Sequence, residues 1–209
     1  SEGKVIPNEY SDIELDDGEE VIEWLANQSW SNGNVGMFGI SWGGFNSIQM
    51  AMRNPPALKA FVAVMATEYL YEEDVHYIDG IMVAGDSWMM SNDLYNSLPG
   101  APDFIMDEQW YEDRFDIEPS VYKYMRQQRD GPFWDRASAK NKYHLIKVPG
   151  YHIGGWYDGY RNSLPRMIEN VSAPVKAMIG PWDHDYPHDA ALKPQVEWRH
   201  EAVRWFDQF

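Results

Sequence analysis

The sequence predicts an α/β fold, in which a mostly parallel sheet is covered on both faces by helices. Short apolar runs of strand length alternate with segments of helical periodicity, and this alternation occurs twice along the 209 residues. Between the two occurrences the pattern changes to acidic, aromatic segments that look helical, including 88–98 and 119–130. From Thr67 to Asp135 only four residues are Lys or Arg. We therefore predict a core formed by residues 1–66 and 148–209, with a helical cap at 67–147 inserted between two strands of the sheet.

The first element is a helix within residues 11–28. Ser11 followed by Glu14 three positions later is a capping-box pattern, in which each side chain binds a backbone N–H near the start of the helix. One helical face of this segment then carries the apolar residues Val21, Ile22 and Leu25. We expect that face to pack against the core.

Two buried strands and a helix follow in the first half. The apolar run "VGMFGI" at 35–40 has the length of a strand, and "FNSIQMAMRN" at 45–54 has the pattern of a largely buried helix. Pro55 and Pro56 end that helix, because proline lacks the N–H that a helix interior needs. The run "LKAFVAVMA" at 58–66 predicts the second strand.

The second half repeats this order. Residues 148–159 begin as a strand, 160–170 form a short helix candidate that Pro165 weakens, and 174–184 form another strand followed by a loop. In each half, a predicted strand therefore ends in a polar loop. In a parallel sheet such loops meet at one edge.

Composition excludes several classes of function. A formal net charge of −16 would repel a phosphate backbone, so we expect no nucleic-acid partner. The chain has no cysteine, which excludes disulfides, thiolate catalysis and cysteine-bound zinc. The apolar runs are too short to span a bilayer, so we expect a soluble globular protein without a membrane partner.

Both ends of the sequence look cut. It begins without an initiator Met and ends inside an amphipathic run, "VEWRHEAVRWFDQF". We expect an internal piece of a longer protein, so the missing signal peptide says nothing about the compartment. Cytoplasm is the default expectation.

The stretch "GISWG", Gly39 to Gly43, matches the GxSxG pattern between a predicted strand and a predicted helix. In that context Ser41 is expected to occupy a strained turn, at whose flanking positions a Cβ would collide with neighbouring backbone. The turn exposes the serine oxygen at the carboxyl end of the sheet. It also places the backbone N–H of Trp42 at a helix N-terminus, where it can bind a developing oxyanion.

A nucleophilic serine needs a base, and the base needs a carboxylate to orient it. Asp158 and His184 each follow a predicted strand, and they come after Ser41 in the order that nucleophile-elbow hydrolases use. Three such positions in the right order are much harder to obtain by chance than the serine pattern alone. We predict a catalytic triad of these residues.

Other interpretations of the same residues stay open. Asp158 also fits a turn residue before Gly159. His184 and His188 lie four apart among aspartates, which is compatible with a metal site. Pro187 argues against one regular helix presenting both imidazoles, so we predict neither a metal nor a cofactor.

The stretches at 1–44, 154–160 ("GGWYDGY") and 179–184 ("IGPWDH") together resemble the CocE/NonD hydrolases, the group of cocaine esterases and X-Pro dipeptidyl-peptidases. The resemblance covers nearly the whole chain and is weakest in the cap. It implies an α/β-hydrolase core with an inserted helical cap. It also implies a second oxyanion donor, a tyrosine from a loop upstream of this sequence, and a jelly-roll domain after it.

For the residues themselves, the resemblance implies Ser41 as nucleophile, Asp158 as orienting acid, His184 as general base and the Trp42 N–H as oxyanion donor. In the related α-amino acid ester hydrolases, carboxylates follow the catalytic aspartate closely and bind the substrate ammonium. Here Gly159, Tyr160 and Arg161 follow Asp158, which disfavours that specificity.

The resulting hypothesis is a serine hydrolase that acts on a small-molecule ester or a short peptide through an acyl-enzyme. X-Pro dipeptidyl-peptidase activity, a non-catalytic hydrolase-like binding module and a metal-dependent hydrolase are the alternatives. Trp88, Met89 and Trp156 are candidate substrate-binding residues, although an apolar cluster at 88–90 also fits a core. A second copy of the chain, forming a homo-oligomer, is a further candidate partner.

Overall fold

The structure is a computed structural model that describes residue 6 and residues 8–83, 98–99, 103–116 and 118–209. In chain order its strands are β1 Val35–Ile40, β2 Leu58–Val64, β3 Tyr77–Ile78, β4 Ile81–Met82, β5 Gly150–Gly155 and β6 Val175–Gly180. Its helices are α1 Asp12–Ala26, α2 Trp42–Arg53, α3 Glu108–Trp110, α4 Ser120–Arg126, α5 Pro132–Asp135, α6 Ser163–Asn170 and α7 Arg199–Gln208. A π-helical turn at Tyr111–Phe115 and a 3-10 turn at Tyr143–Leu145 complete the regular structure of the described residues.

Four of the strands form one parallel sheet in the order β1-β2-β5-β6. The register aligns the last residue of β1, Ile40, with Val64 of β2, and the last residue of β5, Gly155, with Gly180 of β6. The carboxyl ends of the strands therefore meet at one edge. The α/β fold predicted from the sequence is confirmed, including all four of these strands.

Helices cover both faces of the sheet because the buried residues of β2 alternate between two hydrophobic clusters. Phe61 and Ala63 pack on the side of α1, α2 and α6, whereas Val62 and Val64 pack on the side of α7. Burying one such apolar side chain contributes on the order of 1.5–3 kcal/mol. A strand buried on both faces must be apolar throughout, which explains why β2 is a continuous apolar run.

The predicted helix α1 forms, but with a different buried face. Leu15 and Ile22, seven residues apart, are buried, whereas Val21 is 55% exposed. The expectation that Val21 packs against the core is wrong. Since a helix turns 100° per residue, the stripe that contains Ile22 and Leu15 leaves Val21 on the outer side.

The helix α6 forms despite Pro165, because the proline is the third residue of the helix. The first backbone N–H groups of a helix have no partner within it, so the missing N–H of a proline there costs little. Leu164 and Met167 of this helix are buried.

The described part of the segment between β2 and β5 contains the antiparallel hairpin of β3 and β4 as well as short helices. Tyr77, Tyr124 and Trp134 of this part form a third hydrophobic cluster with Phe45 of α2. The helix predicted at 119–130 is present as Ser120–Arg126, whereas the candidate at 88–98 lies almost wholly outside the described residues. Within the described ranges, every helix is too short or too polar to cross a membrane.

Candidate active site

Ser41 occupies a sharp turn between β1 and α2. Its backbone angles are φ 55° and ψ −121°, a combination that few residues other than glycine adopt. Two backbone hydrogen bonds hold the turn: the Ser41 N–H donates to Val64 O at 2.9 Å, and the Phe45 N–H donates to Ser41 O at 2.9 Å. Backbone strain of this kind costs on the order of 1–3 kcal/mol, and it persists where the surrounding structure enforces it. Ser41 therefore lies in a strained turn between a strand and a helix.

The neighbouring glycines do not share one steric role. A Cβ at Gly39 would lie 2.5 Å from the carbonyl carbon of Gly43, so the first glycine of the motif is required by close packing. A Cβ at Gly43 itself would meet nothing within 4 Å. The expectation of a backbone clash at Gly43 is thus wrong. The second close approach is at Gly44, where a Cβ would lie 2.7 Å from the Cβ of Ala66.

Asp158 and His184 lie in the loops that follow β5 and β6, and their side chains are in contact. His184 Nδ1 and Asp158 Oδ1 are 2.9 Å apart, a hydrogen-bond distance. Asp158 is buried at 3% exposure, whereas the His184 side chain is 45% exposed. The pair therefore has a buried carboxylate that orients an accessible imidazole.

The two loops also hold each other through the backbone. The Tyr157 N–H donates to Trp182 O at 3.0 Å, and the Trp156 N–H donates to Gly180 O at 2.9 Å. A Cβ at Gly155 would collide with the same Trp182 carbonyl. The close approach of these two loops sets the position of Asp158 relative to His184.

Tyr160 connects this pair to the turn of Ser41. Its ring contacts the His184 ring edge-on at 5.5 Å between centroids, and it contacts Phe45 in the first turns of α2 edge-on at 5.0 Å. Burial, together with the negative charges of Asp74 and Asp158, raises the pKa of Tyr160, so its phenol stays neutral. Among the hydrogen bonds of the described residues, none joins Ser41 Oγ to His184. Such bonds often tighten only when substrate is bound.

Trp42, whose backbone N–H is the predicted oxyanion donor, is the first residue of α2. The first N–H groups of a helix have no partner within the helix and carry its positive dipole end. The indole side chain of Trp42 donates to Glu14 Oε1 at 2.7 Å. The sequence pattern identified Glu14 only as part of a helix cap.

The candidate substrate-binding residues are described only in part. Trp156 lies directly after β5 with 56% of its surface exposed, beside the more exposed Tyr157. Trp88 and Met89 lie outside the described residues.

His188, the second histidine of the metal alternative, has protein partners at both ring nitrogens. Its Nδ1 accepts a hydrogen bond from the Trp198 indole at 3.0 Å, and its Nε2 lies 3.2 Å from Asp189 Oδ2. Across the described ranges, no group of three or more His, Asp or Glu side chains is arranged to hold a metal ion.

A buried ionic network connects the segment between β2 and β5 to α6, and the sequence alone did not predict it. Arg166 Nε lies 2.6 Å from Glu68 Oε1, and another nitrogen of its guanidinium lies 2.9 Å from Glu73 Oε2. Both carboxylates are buried, and Ser163 and Asn162 donate to them as well. The only signal in the sequence was acidic residues just after a buried strand, which surface residues produce equally well.

The chain is similar to known proteins over most of its length. A family profile described as X-Pro dipeptidyl-peptidase (S15 family) matches residues 1–186. Cocaine esterase from Rhodococcus sp. (strain MB1 Bresler) is 27% identical over an alignment of 213 positions, gaps included, which covers 88% of this chain and 36% of the esterase.

Solved structures extend the likeness to the fold. A CocE/NonD family hydrolase from Staphylococcus aureus matches with a TM-score of 0.65 and 26% identity, over 86% of this chain and 30% of that one. An α-amino acid ester hydrolase matches with a TM-score of 0.63 and 23% identity, over 100% of this chain and 39% of that one. The chain thus spans well under half the length of these relatives.

Proposed function

The chain belongs to the X-Pro dipeptidyl-peptidase (S15) family, and on that premise we propose that the protein is a serine hydrolase of the acyl-esterase type. It cleaves an ester or amide bond of a small molecule or a short peptide through an acyl-enzyme. The observation that carries the proposal is the contact of Asp158 with His184 at the same sheet edge as the strained turn of Ser41.

In the first half of the reaction, Ser41 Oγ attacks the substrate carbonyl carbon while His184 takes the serine proton through Nε2. Asp158 accepts a hydrogen bond from Nδ1, which fixes the tautomer and stabilises the imidazolium that forms. The carbonyl oxygen becomes an oxyanion, which the backbone N–H of Trp42 binds. The oxyanion then reforms the carbonyl, the bond from carbon to the leaving group breaks, and His184 gives its proton to the leaving group, which leaves the acyl group bound to Ser41 Oγ.

In the second half, water replaces the leaving group. His184 removes a proton from the water as the water attacks the acyl carbon. The bond between the acyl carbon and Ser41 Oγ then breaks, the same imidazole returns the proton to Oγ, and the carboxylic acid product leaves. The 45% exposure of the His184 side chain is compatible with this step, because water must reach the imidazole. No metal or cofactor takes part in the proposed steps.

The test uses the complete gene product and a serine-directed fluorophosphonate. We expect intact mass to show one adduct on the full-length protein and none on the Ser41→Ala variant. Ester turnover should fall by several orders of magnitude in the same variant. If the full-length protein forms no adduct, the alternative of a non-catalytic binding module replaces this proposal.

Dipeptidyl-peptidase activity on X-Pro substrates is the second candidate function. The family match favours it. A panel of 4-nitrophenyl esters beside Ala-Pro-4-nitroanilide separates the two candidates by their relative kcat/KM.

Association with a second copy of the chain stays a prediction.

A further inference from the structure

The carboxylate of Glu14 accepts three hydrogen bonds from around the nucleophile turn. Oε1 accepts from the indole of Trp42 at 2.7 Å and from the side-chain amide of Asn46 at 3.0 Å, and Oε2 accepts from the backbone N–H of Tyr10 at 2.8 Å. Two of these donors are on α2, and the third precedes α1. One carboxylate therefore joins the beginnings of both helices.

A helix cap alone does not require this arrangement. The Glu14 N–H does donate to the cap residue Ser11 at 3.4 Å, as the capping-box pattern predicts. In that pattern the glutamate carboxylate binds the N–H of the cap residue. Here it binds the N–H of Tyr10, one residue earlier, and it also binds two side chains that are 28 and 32 residues away.

The contact with Trp42 bears on the proposed chemistry because of what the Trp42 backbone does. The N–H that would bind the oxyanion belongs to the peptide between Ser41 and Trp42, and Ser41 ψ of −121° sets the direction of that N–H. The Trp42 side chain is held from two directions, by Glu14 at the indole nitrogen and by the ring of Tyr10 at 5.5 Å. A fixed side chain restricts rotation of the strained peptide to which it is attached.

The charge of Glu14 strengthens this restraint. Hydrogen bonds to an ionised carboxylate are roughly twice as strong as those between neutral groups. In the ion pairs of the described residues, Glu14 is not joined to Lys, Arg or His, so its oxygens are directed to these N–H donors. A glutamine would keep one acceptor oxygen and place an N–H₂ group against the remaining donors.

We propose that Glu14 is a positioning residue, which fixes the Ser41–Trp42 peptide so that the Trp42 N–H points at the oxyanion. The inference rests on the proposed function. Loss of a whole oxyanion donor reduces kcat by about 10²–10³. Because Glu14 orients the donor without supplying it, we expect a smaller effect, about tenfold on kcat.

The experiment measures hydrolysis of 4-nitrophenyl acetate by the full-length protein and four variants. Glu14→Gln removes the charge, Trp42→Phe removes the indole N–H and keeps an aromatic ring, and the double variant removes both. Glu23→Gln is the matched control, since Glu23 is an exposed glutamate on the same helix. The kcat and KM of each are measured at equal folded concentration, together with the thermal unfolding midpoint.

We expect kcat to fall about tenfold in Glu14→Gln and in Trp42→Phe, with KM changed less than twofold and with Glu23→Gln equal to the parent. The double variant should fall no further than either single one, because both changes act through the same contact between the side chains of residues 14 and 42. Full kcat in Glu14→Gln with a lowered unfolding midpoint would mean a structural role only and overturns the inference. If Glu14→Gln does not fold, an unchanged kcat in Trp42→Phe overturns it.

The parent protein distinguishes this inference from the function on which it rests. Ester hydrolysis that Ser41→Ala abolishes upholds the proposed function whatever Glu14→Gln does. A parent protein without Ser41-dependent hydrolysis overturns both.

Discussion

Alanine at Gly39 and alanine at Gly43 are expected to change stability in opposite directions, although the two glycines flank the same serine. At Gly39 the added Cβ would lie 2.5, 2.6 and 2.7 Å from three backbone atoms of Gly43, and real Cβ atoms essentially never approach closer than 3.0 Å. These are backbone atoms at the start of α2, so they cannot rotate away as a flexible side chain would. The turn itself must move.

The magnitudes follow from the two environments. Overpacking of this kind costs about 1–3 kcal/mol and occasionally more, and we expect the upper end at Gly39 because the obstacle is backbone. Gly43 is the second residue of α2, and its Cβ would meet nothing within 4 Å. Replacing a helical glycine by alanine there stabilises by about 0.5–1 kcal/mol. The two variants should therefore differ by about 3–4 kcal/mol in the free energy of unfolding.

Urea unfolding of the full-length protein and both variants measures this difference, provided that the slope with denaturant is unchanged. Fluorophosphonate labelling of the same samples adds a functional measure. We expect Gly39→Ala to label slowly, because a displaced turn moves Ser41 away from His184. The reasoning is refuted if Gly43→Ala is less stable than the parent, or if Gly39→Ala lies within about 1 kcal/mol of it, a margin well below the expected overpacking cost.

Three further predictions concern strain, protonation and buried charge. Ser41→Gly and Ser41→Ala both lack the hydroxyl, but only glycine adopts φ 55° at no steric cost. In urea unfolding the glycine variant should therefore be more stable than the alanine variant by about 1 kcal/mol. Equal stability of the two variants would contradict the inference that the backbone of residue 41 is strained. Burial lowers the pKa of His152 to about 4 in the folded protein, so between pH 6.5 and 4 the unfolded chain binds more protons and stability falls as the pH falls, by up to about 3 kcal/mol. His152→Leu should remove that share of the pH dependence in urea unfolding from pH 4 to 7, and an identical dependence would refute it. Arg166→Met leaves Glu68 and Glu73 buried without their cation and should destabilise by about 3–5 kcal/mol in urea at pH 7, a loss that should shrink at a pH low enough to protonate the carboxylates.

The strands were predictable because their apolarity is a local property of the sequence. A strand buried on both faces must be apolar throughout, so the run at 58–66 predicted β2 without knowledge of the fold. The run at 35–40 predicted β1 as well, but the expectation that this strand is buried is wrong in part, because Phe38 is 60% exposed. The order of Ser41, Asp158 and His184 along the chain was informative for a related reason. Each follows a strand, and parallel strands bring their carboxyl ends to one edge.

Features that depend on distant residues were not predictable. Which face of α1 is buried depends on how that helix sits on the sheet, and the sequence alone placed Val21 on the wrong side. In addition to Gly39, close packing requires a glycine at position 44 and not at position 43, because Ala66, which follows β2, lies against Gly44. The GxSxG pattern records spacing along the chain, and it carries no information about which neighbour lies against each glycine.

The candidate site combines two kinds of constraint. Backbone contacts fix the turn of Ser41 through Val64, and they fix the loops of Asp158 and His184 through the close approach of Gly155 to the Trp182 carbonyl. Side chains, in contrast, connect the site to the elements around it, as Glu14 does for Trp42. Backbone packing tolerates no added atom, whereas a side-chain hydrogen bond can be lost while the fold remains. Substitutions of the first kind should therefore reduce stability and activity together, and substitutions of the second kind should reduce kcat alone.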